Sequence, residues 1–338
     1  MTGKPNIREI HPTAGIAGGD IMIRGAGFRF VGDIRPRVEL GGVDAPLVIS
    51  SEDFMVAKVP EGAISGDLLI HAGADSSDGW PFEVAVNIAD NLHPVANPAV
   101  DPLGNVFTTF SGQRGQKVPV SIYKVDLNYN VHPFVRDLMN PTGLAFDRAG
   151  QLHVSLRNDG SIVRINAQGV VTPFVEGMGI ATGLAFDTQE NLYVGDRSGT
   201  IFKIAPDGSI FVFATLEPSV AAYHLAFGPQ GYLYVTGPTT SSFDCMYRIS
   251  RHGQVEVFFR GLGRPQGMAF DEDGNLYVAA SLSGRKGVVR ITPDGKAELV
   301  ISGAGIVGLA FMGRALLLAT SNSLYYLNWT CRGRALLE

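Results

Sequence analysis

The chain has 338 residues, of which 45% are hydrophobic and 17% charged, and its formal net charge at pH 7 is −5. That is enough apolar material to bury two cores without metals or disulfides, and it lacks the basic excess of a nucleic-acid binder. No run of apolar residues is long enough for a membrane span and none near the N-terminus reads as a signal segment, so the chain as written reads as cytoplasmic, or exported if a signal has been removed.

The first stretch, 1–84, has its own pattern. It reads PNIREIHPTAGIAGGDIMIRGAGF over 5–28, VELGGVDAPLV over 38–48 and VAKVPEGAISGDLLIHAG over 56–73. The alternation at Ile21-Met22-Ile23, paired glycines and short runs predict a small antiparallel sandwich of the immunoglobulin-like class. Residues 85–90 read as a linker.

From 91 to 338 one motif recurs: GLAFD at 143–147 and 183–187, HLAFG at 224–228, GMAFD at 267–271 and GLAFM at 308–312, with a degenerate NPAVD at 97–101. Each copy is followed by a sequence close to NLYV. The unit starting at 183 continues NLYVGD from 191, TIFKI from 200 and SIFVFA from 209. Four short strands in each stretch of about 40 residues is the arithmetic of a propeller blade. Six copies predict six blades, each built from its own repeat, the last using 323–327 and 334–337 as third and fourth strands. The small first run suits the crowded axis. The fourth run, with Phe134, Phe174, Phe213 and Phe258, suits the outer edge. The fold class is thus all-β, a sandwich followed by a six-bladed propeller.

The N-terminal segment resembles an IPT/TIG domain over 5–84. The carriers are Ile10-His11-Pro12, Gly18-Gly19, the run from Ile23 to Phe28, Gly41-Gly42, Val59-Pro60 and Ser65-Gly66. The repeats resemble the NHL and gluconolactonase/regucalcin group of six-bladed propellers. That resemblance implies a divalent cation at the tunnel mouth, held by a Glu, Asn residues and an Asp. The matching slots here are Ala96, Thr142, Thr182, Tyr223, Gln266 and Val307, with no carboxylate among them, although Asn97 and Asn140 lie close by. A hard cation needs anionic oxygens, so the reading assigns no metal and no cofactor.

What remains is a polar, neutral ring with basic loops around it. Asn97, Thr142, Thr182, Tyr223, His224 and Gln266, together with Arg157, Arg197 and Arg264, form the candidate ligand-binding set. Asn158, Asp196, Thr239, Ser241 and Ser281 are expected on the same face. His224 replaces the glycine of the other copies and reads as a packed residue, as does His153 in the slot of Tyr193, Tyr234 and Tyr277. Catalytic residues are not assigned. The G-x-G-x-x-G at 303–308 leads into a strand and not a helix, so it makes no dinucleotide site. The calcium-like Asp271–Asn275 run reads as a hairpin turn, and Cys245 and Cys331 as two free thiols. The chain reads as a recognition protein presenting one propeller face to a small polar ligand or a protein. The alternative is a gluconolactonase-like hydrolase or lyase with a rearranged site.

Overall fold

The computed structural model describes residues 4–113, 115–240 and 244–334, and these contain strands and turns with no helix. Two sheets of the N-terminal part face each other. One runs in the order Asn6–His11, Asp20–Ala26, Phe54–Lys58, Leu47–Ser50; the other in the order Trp80–Val84, Gly66–Ala72, Arg37–Leu40, Val43–Ala45. The expected alternation holds, since Ile21 and Ile23 are fully buried while Met22 between them is half-buried. They share one core with Val38, Leu40, Met55, Leu68, Ile70 and Phe82. At about 1.5–3 kcal/mol for each such buried side chain, this core is the main force holding the sandwich together.

The repeats form successive four-stranded antiparallel units. The inner strands are Ala99–Val100, Pro141–Phe146, Ala181–Phe186, His224–Phe227, Met268–Phe270 and Ile306–Met312. Each contacts the next and the first contacts the last, so the units close a ring. The glycine of the repeated motif has a steric cause. A Cβ on Gly143 would lie 2.2 Å from the Thr182 carbonyl oxygen, on Gly183 2.3 Å from that of Tyr223, and on Gly308 2.4 Å from that of Ala96. Only glycine allows neighbouring backbones to meet this closely at the axis.

An aromatic ladder binds each of the first five units to the next. The second-strand ring of one unit meets, edge to face, an outer-strand Phe of its own unit and the motif Phe of the following unit. The sets are Phe107 with Phe134 and Phe146, His153 with Phe174 and Phe186, Tyr193 with Phe213 and Phe227, and Tyr234 with Phe258 and Phe270. In the fifth unit Tyr277 meets Phe311, and Trp329 replaces the missing outer Phe. Each such pair contributes about 0.5–1.5 kcal/mol beyond its buried area. The outer-strand phenylalanines thus turn inward from the rim. His153, whose Nε2 lies 3.0 Å from Asp147 Oδ2, is a rung of the ladder.

The last unit corrects the expected register. Its outermost strand is Val86–Ala89, pairing antiparallel with Leu324–Asn328. Residues 85–90 are therefore not a free linker, and the unit is completed from before the first repeat. That outermost place is the one expected for 334–337. Gly333 bridges Asp271 and the Arg334 amide donates to Phe270 O, so the chain turns back beneath the fifth unit, while residues 335–337 lie outside the described residues. The physical reason is closure: pairing one strand from each end of the repeat array joins a ring that no covalent bond completes.

The sandwich is fastened to the fifth unit. Ala14–Gly15 pairs in parallel with Trp80–Val84 on one side and, through Gly15 and Ser302, with Ala297–Ser302 on the other. A Cβ on Gly15 or Gly19 would lie 2.6 or 2.5 Å from Ser302 Oγ, so glycine is required at both. Ala14, Ile16 and Ala85 share a core with Tyr277, Ile301 and Ile306.

Candidate functional site

The candidate residues divide into three groups. Those nearest the axis are mostly occupied with the protein's own backbone. Thr182 Oγ1 donates to Gly195 O (2.8 Å) and accepts from Tyr223 N (3.0 Å), and Thr142 Oγ1 donates to Asn140 O (3.3 Å). Tyr223 is buried, its hydroxyl donating to the Glu217 carbonyl. Asn97 ties three units together, donating from Nδ2 to Met268 O (2.9 Å) and accepting at Oδ1 from Leu309 N (3.1 Å).

Two of the arginines act as latches between adjacent loops. Arg157 donates to Gly112 O at 2.7 Å, and Arg197 donates to Val220 O at 2.8 Å and Ser219 O at 3.4 Å. The two guanidiniums are directed at neighbouring carbonyls. Asn140 supports the first latch, its side chain bonding Gly112 O, Gln113 O and Gly115 N. Asp196 accepts from Ile180 N at 2.7 Å and from the Ser198 hydroxyl, so it caps its own loop. Asp244 accepts from the amide and hydroxyl of Thr239, both at 2.8 Å. Ser241 lies outside the described residues.

Along the axis itself a cavity of about 30 Å³ is lined by Asn97, His224 and the small and apolar residues of the inner strands. A water needs about 10–15 Å³ of such space, so one or two fit and little else. His224 stands where four other copies of the motif have glycine, and it is buried. Burial pushes its imidazole down to about 4, and no charged side chain lines the cavity to offset that. The ring is neutral at physiological pH.

The third group opens elsewhere. Between the fifth and sixth units lies a cavity of about 180 Å³, lined by Arg264, Gln266, Ser281, Lys286 and the glycine loop Gly303–Gly305 among others. The Gln266 backbone is pinned on both sides, its N–H donating to Ala279 O (2.9 Å) and its carbonyl accepting from Thr236 Oγ1 (2.7 Å). Arg264 sits at φ 47°, a left-handed conformation that costs a non-glycine residue of order 1 kcal/mol. Lys286 and the two glycines were not singled out for this face from the sequence. The glycines fall in the discounted dinucleotide motif, and nothing in the sequence marks Lys286.

Among the described residues no group of three or more His, Cys, Asp or Glu side chains is arranged to hold a metal ion. The Asp271 loop is a turn, with Asp271 Oδ1 accepting from Asn275 N and Oδ2 from Asn275 Nδ2, each at 2.8 Å. Among the described residues no helix is long and apolar enough to cross a membrane.

Solved structures share this architecture. An auxiliary nutrient binding protein from Bacteroides ovatus is 14% identical, with a TM-score of 0.55 over 96% of this chain and 98% of its own. A putative gluconolactonase is 19% identical, with a TM-score of 0.60 over 75% of this chain and 93% of its own. A catalytically inactive virginiamycin B lyase from Staphylococcus aureus, solved with quinupristin, is 12% identical, with a TM-score of 0.52 over 97% of this chain and 96% of its own. The likeness is one of fold: an all-β, propeller-like chain. No family model and no curated protein matches the sequence.

Proposed function

We propose that this chain is a recognition protein, a six-bladed propeller of the NHL and gluconolactonase type behind an IPT/TIG-like sandwich, that binds a small polar ligand at the rim of its ring. The observation that carries the reading is how the polar groups are used. Thr142, Thr182, Tyr223, Arg157 and Arg197 hydrogen-bond to the protein's own backbone, and the axial cavity holds about 30 Å³. A sugar lactone does not fit in that space, and the slots where the resembled lactonases hold a cation carry no carboxylate here. The ring is built for rigidity, and rigid scaffolds with polar rims suit binding. The fold is also that of an auxiliary nutrient binding protein, which gives the reading a precedent.

The test is a thermal-shift and calorimetric screen of small acids, sugars and lactones, beside metal analysis and a lactone-hydrolysis assay with and without chelator. The expected result is saturable binding with no chelator-sensitive turnover. One equivalent of divalent metal coupled to chelator-sensitive hydrolysis would overturn the recognition reading in favour of the lactonase-like alternative.

A further inference from the structure

We propose that the cavity between the fifth and sixth units is a binding site for a small organic acid, its carboxylate held by Arg264 and Lys286. The inference rests on the recognition reading and adds the place and the charge of the ligand. Four polar side chains line the cavity: Arg264, Gln266, Ser281 and Lys286. None of the four side chains has a hydrogen-bond or ion-pair partner among the described residues, whereas Arg157 and Arg197 are both spent on backbone carbonyls. Arg264 and Lys286 are exposed and Gln266 and Ser281 half-buried, so their polar groups are open to a ligand that displaces water from the cavity.

Their charge selects the class of ligand. Two cations and no carboxylate line the space, so the local field is positive on a chain whose net charge is −5. An arginine fork takes a carboxylate through two parallel hydrogen bonds, and a lysine adds a point charge. Gln266 and Ser281 supply neutral groups for a hydroxyl or carbonyl elsewhere on the acid. At about 180 Å³ the cavity lies below the roughly 300–1,000 Å³ of drug-sized sites, which limits the occupant to a small acid.

Glycine is required at two points of the cavity wall. Gly305 has φ 75°, so a side chain there would be strained, and a Cβ on Gly303 would lie 2.4 Å from Ile16 Cγ1 of the sandwich. The wall of the cavity is thus braced from behind by the N-terminal part.

Isothermal titration of the full chain with pyruvate, succinate, citrate and inorganic phosphate, beside glucose and gluconolactone as neutral probes, tests the site. At least one carboxylate is expected to bind with 1:1 stoichiometry and to weaken as salt rises. Arg264→Ala and Lys286→Ala are each expected to weaken it about 10- to 100-fold, the range for losing a charged hydrogen bond. Arg197→Ala, which removes a loop latch, is expected to leave the affinity unchanged. Both substituted cavity side chains are exposed, so melting temperatures should match the parent protein. If neutral probes bind and acids do not, the acid site is wrong while the recognition reading stands. Acid binding that ignores both cavity substitutions, or a preference for phosphate over every carboxylate, also overturns the assignment. Binding of none of the probes overturns it as well.

Discussion

Replacing His224 with glutamine should flatten the acid limb of the stability profile. The folded imidazole sits near 4 because burial removes it from water, while an unfolded histidine titrates near 6.5. Between those values the unfolded chain binds a proton that the folded chain refuses. Stability rises with pH wherever the unfolded state binds more protons, so the contribution is intact above 6.5 and is lost as pH falls towards 4. At about 1.4 kcal/mol for each pH unit, the loss amounts to roughly 3 kcal/mol. Urea unfolding of the parent protein and of His224→Gln at pH 7 and pH 4 measures it. Acidic groups common to both proteins cancel in the comparison, and the parent should lose about 3 kcal/mol more than the variant. An NMR titration of the His224 ring should show no change until well below pH 5. Equal pH dependence in the two proteins, or an imidazole that titrates near 6.5, would refute the argument that burial holds this imidazole neutral.

Gly308→Ala should cost about 1–3 kcal/mol and lower the melting temperature by several degrees, because the new methyl would sit 2.4 Å from the Ala96 carbonyl oxygen; an unchanged melt would contradict the packing at the axis. A double-mutant cycle of Tyr193→Leu and Phe227→Leu should return a coupling of about 0.5–1.5 kcal/mol for rings 5.0 Å apart, and zero coupling would remove the ladder as a stabilising device. Cys245 and Cys331 are both free and should react as two thiols without prior reduction; labelling that appears only after reductant would contradict this.

The repeat could be read because its residues obey constraints that recur in most units. The motif glycine answers the crowding at the axis, the motif Phe answers the ladder, and Asp187 and its counterparts cap the first turn by accepting backbone amides. Val86–Ala89 obeys none of them. It is a four-residue edge strand, paired on one side, with Val86 more than half exposed, so neither period nor composition marks it. The basic residues illustrate a second limit. Arg157 and Arg197 each follow a second strand and are consumed by carbonyls of neighbouring loops, whereas Arg264 follows an outer strand and is not. Backbone carbonyls leave no trace in a sequence, because every residue has one. Lys286 was hidden for a related reason: it lies at the start of a third strand, and only the folding of the glycine loop at Gly303 and Gly305 beside it makes it part of a cavity.

The closing strand also governs the order in which the molecule can be completed. Val86 and Tyr326 are partners although about 240 residues separate them. During synthesis the early segment emerges first and must wait, its hydrogen-bonding edge unmatched, until nearly the whole array has been made. Intervening units can settle as they appear, since each contacts mainly its neighbours. The ring itself can shut only after release of Leu324–Asn328, and a ribosome stalled before that point would hold an open crescent with two sticky ends. Chains in that state could exchange strands with one another, so the yield of correctly closed monomer should depend on how dilute the nascent protein is kept.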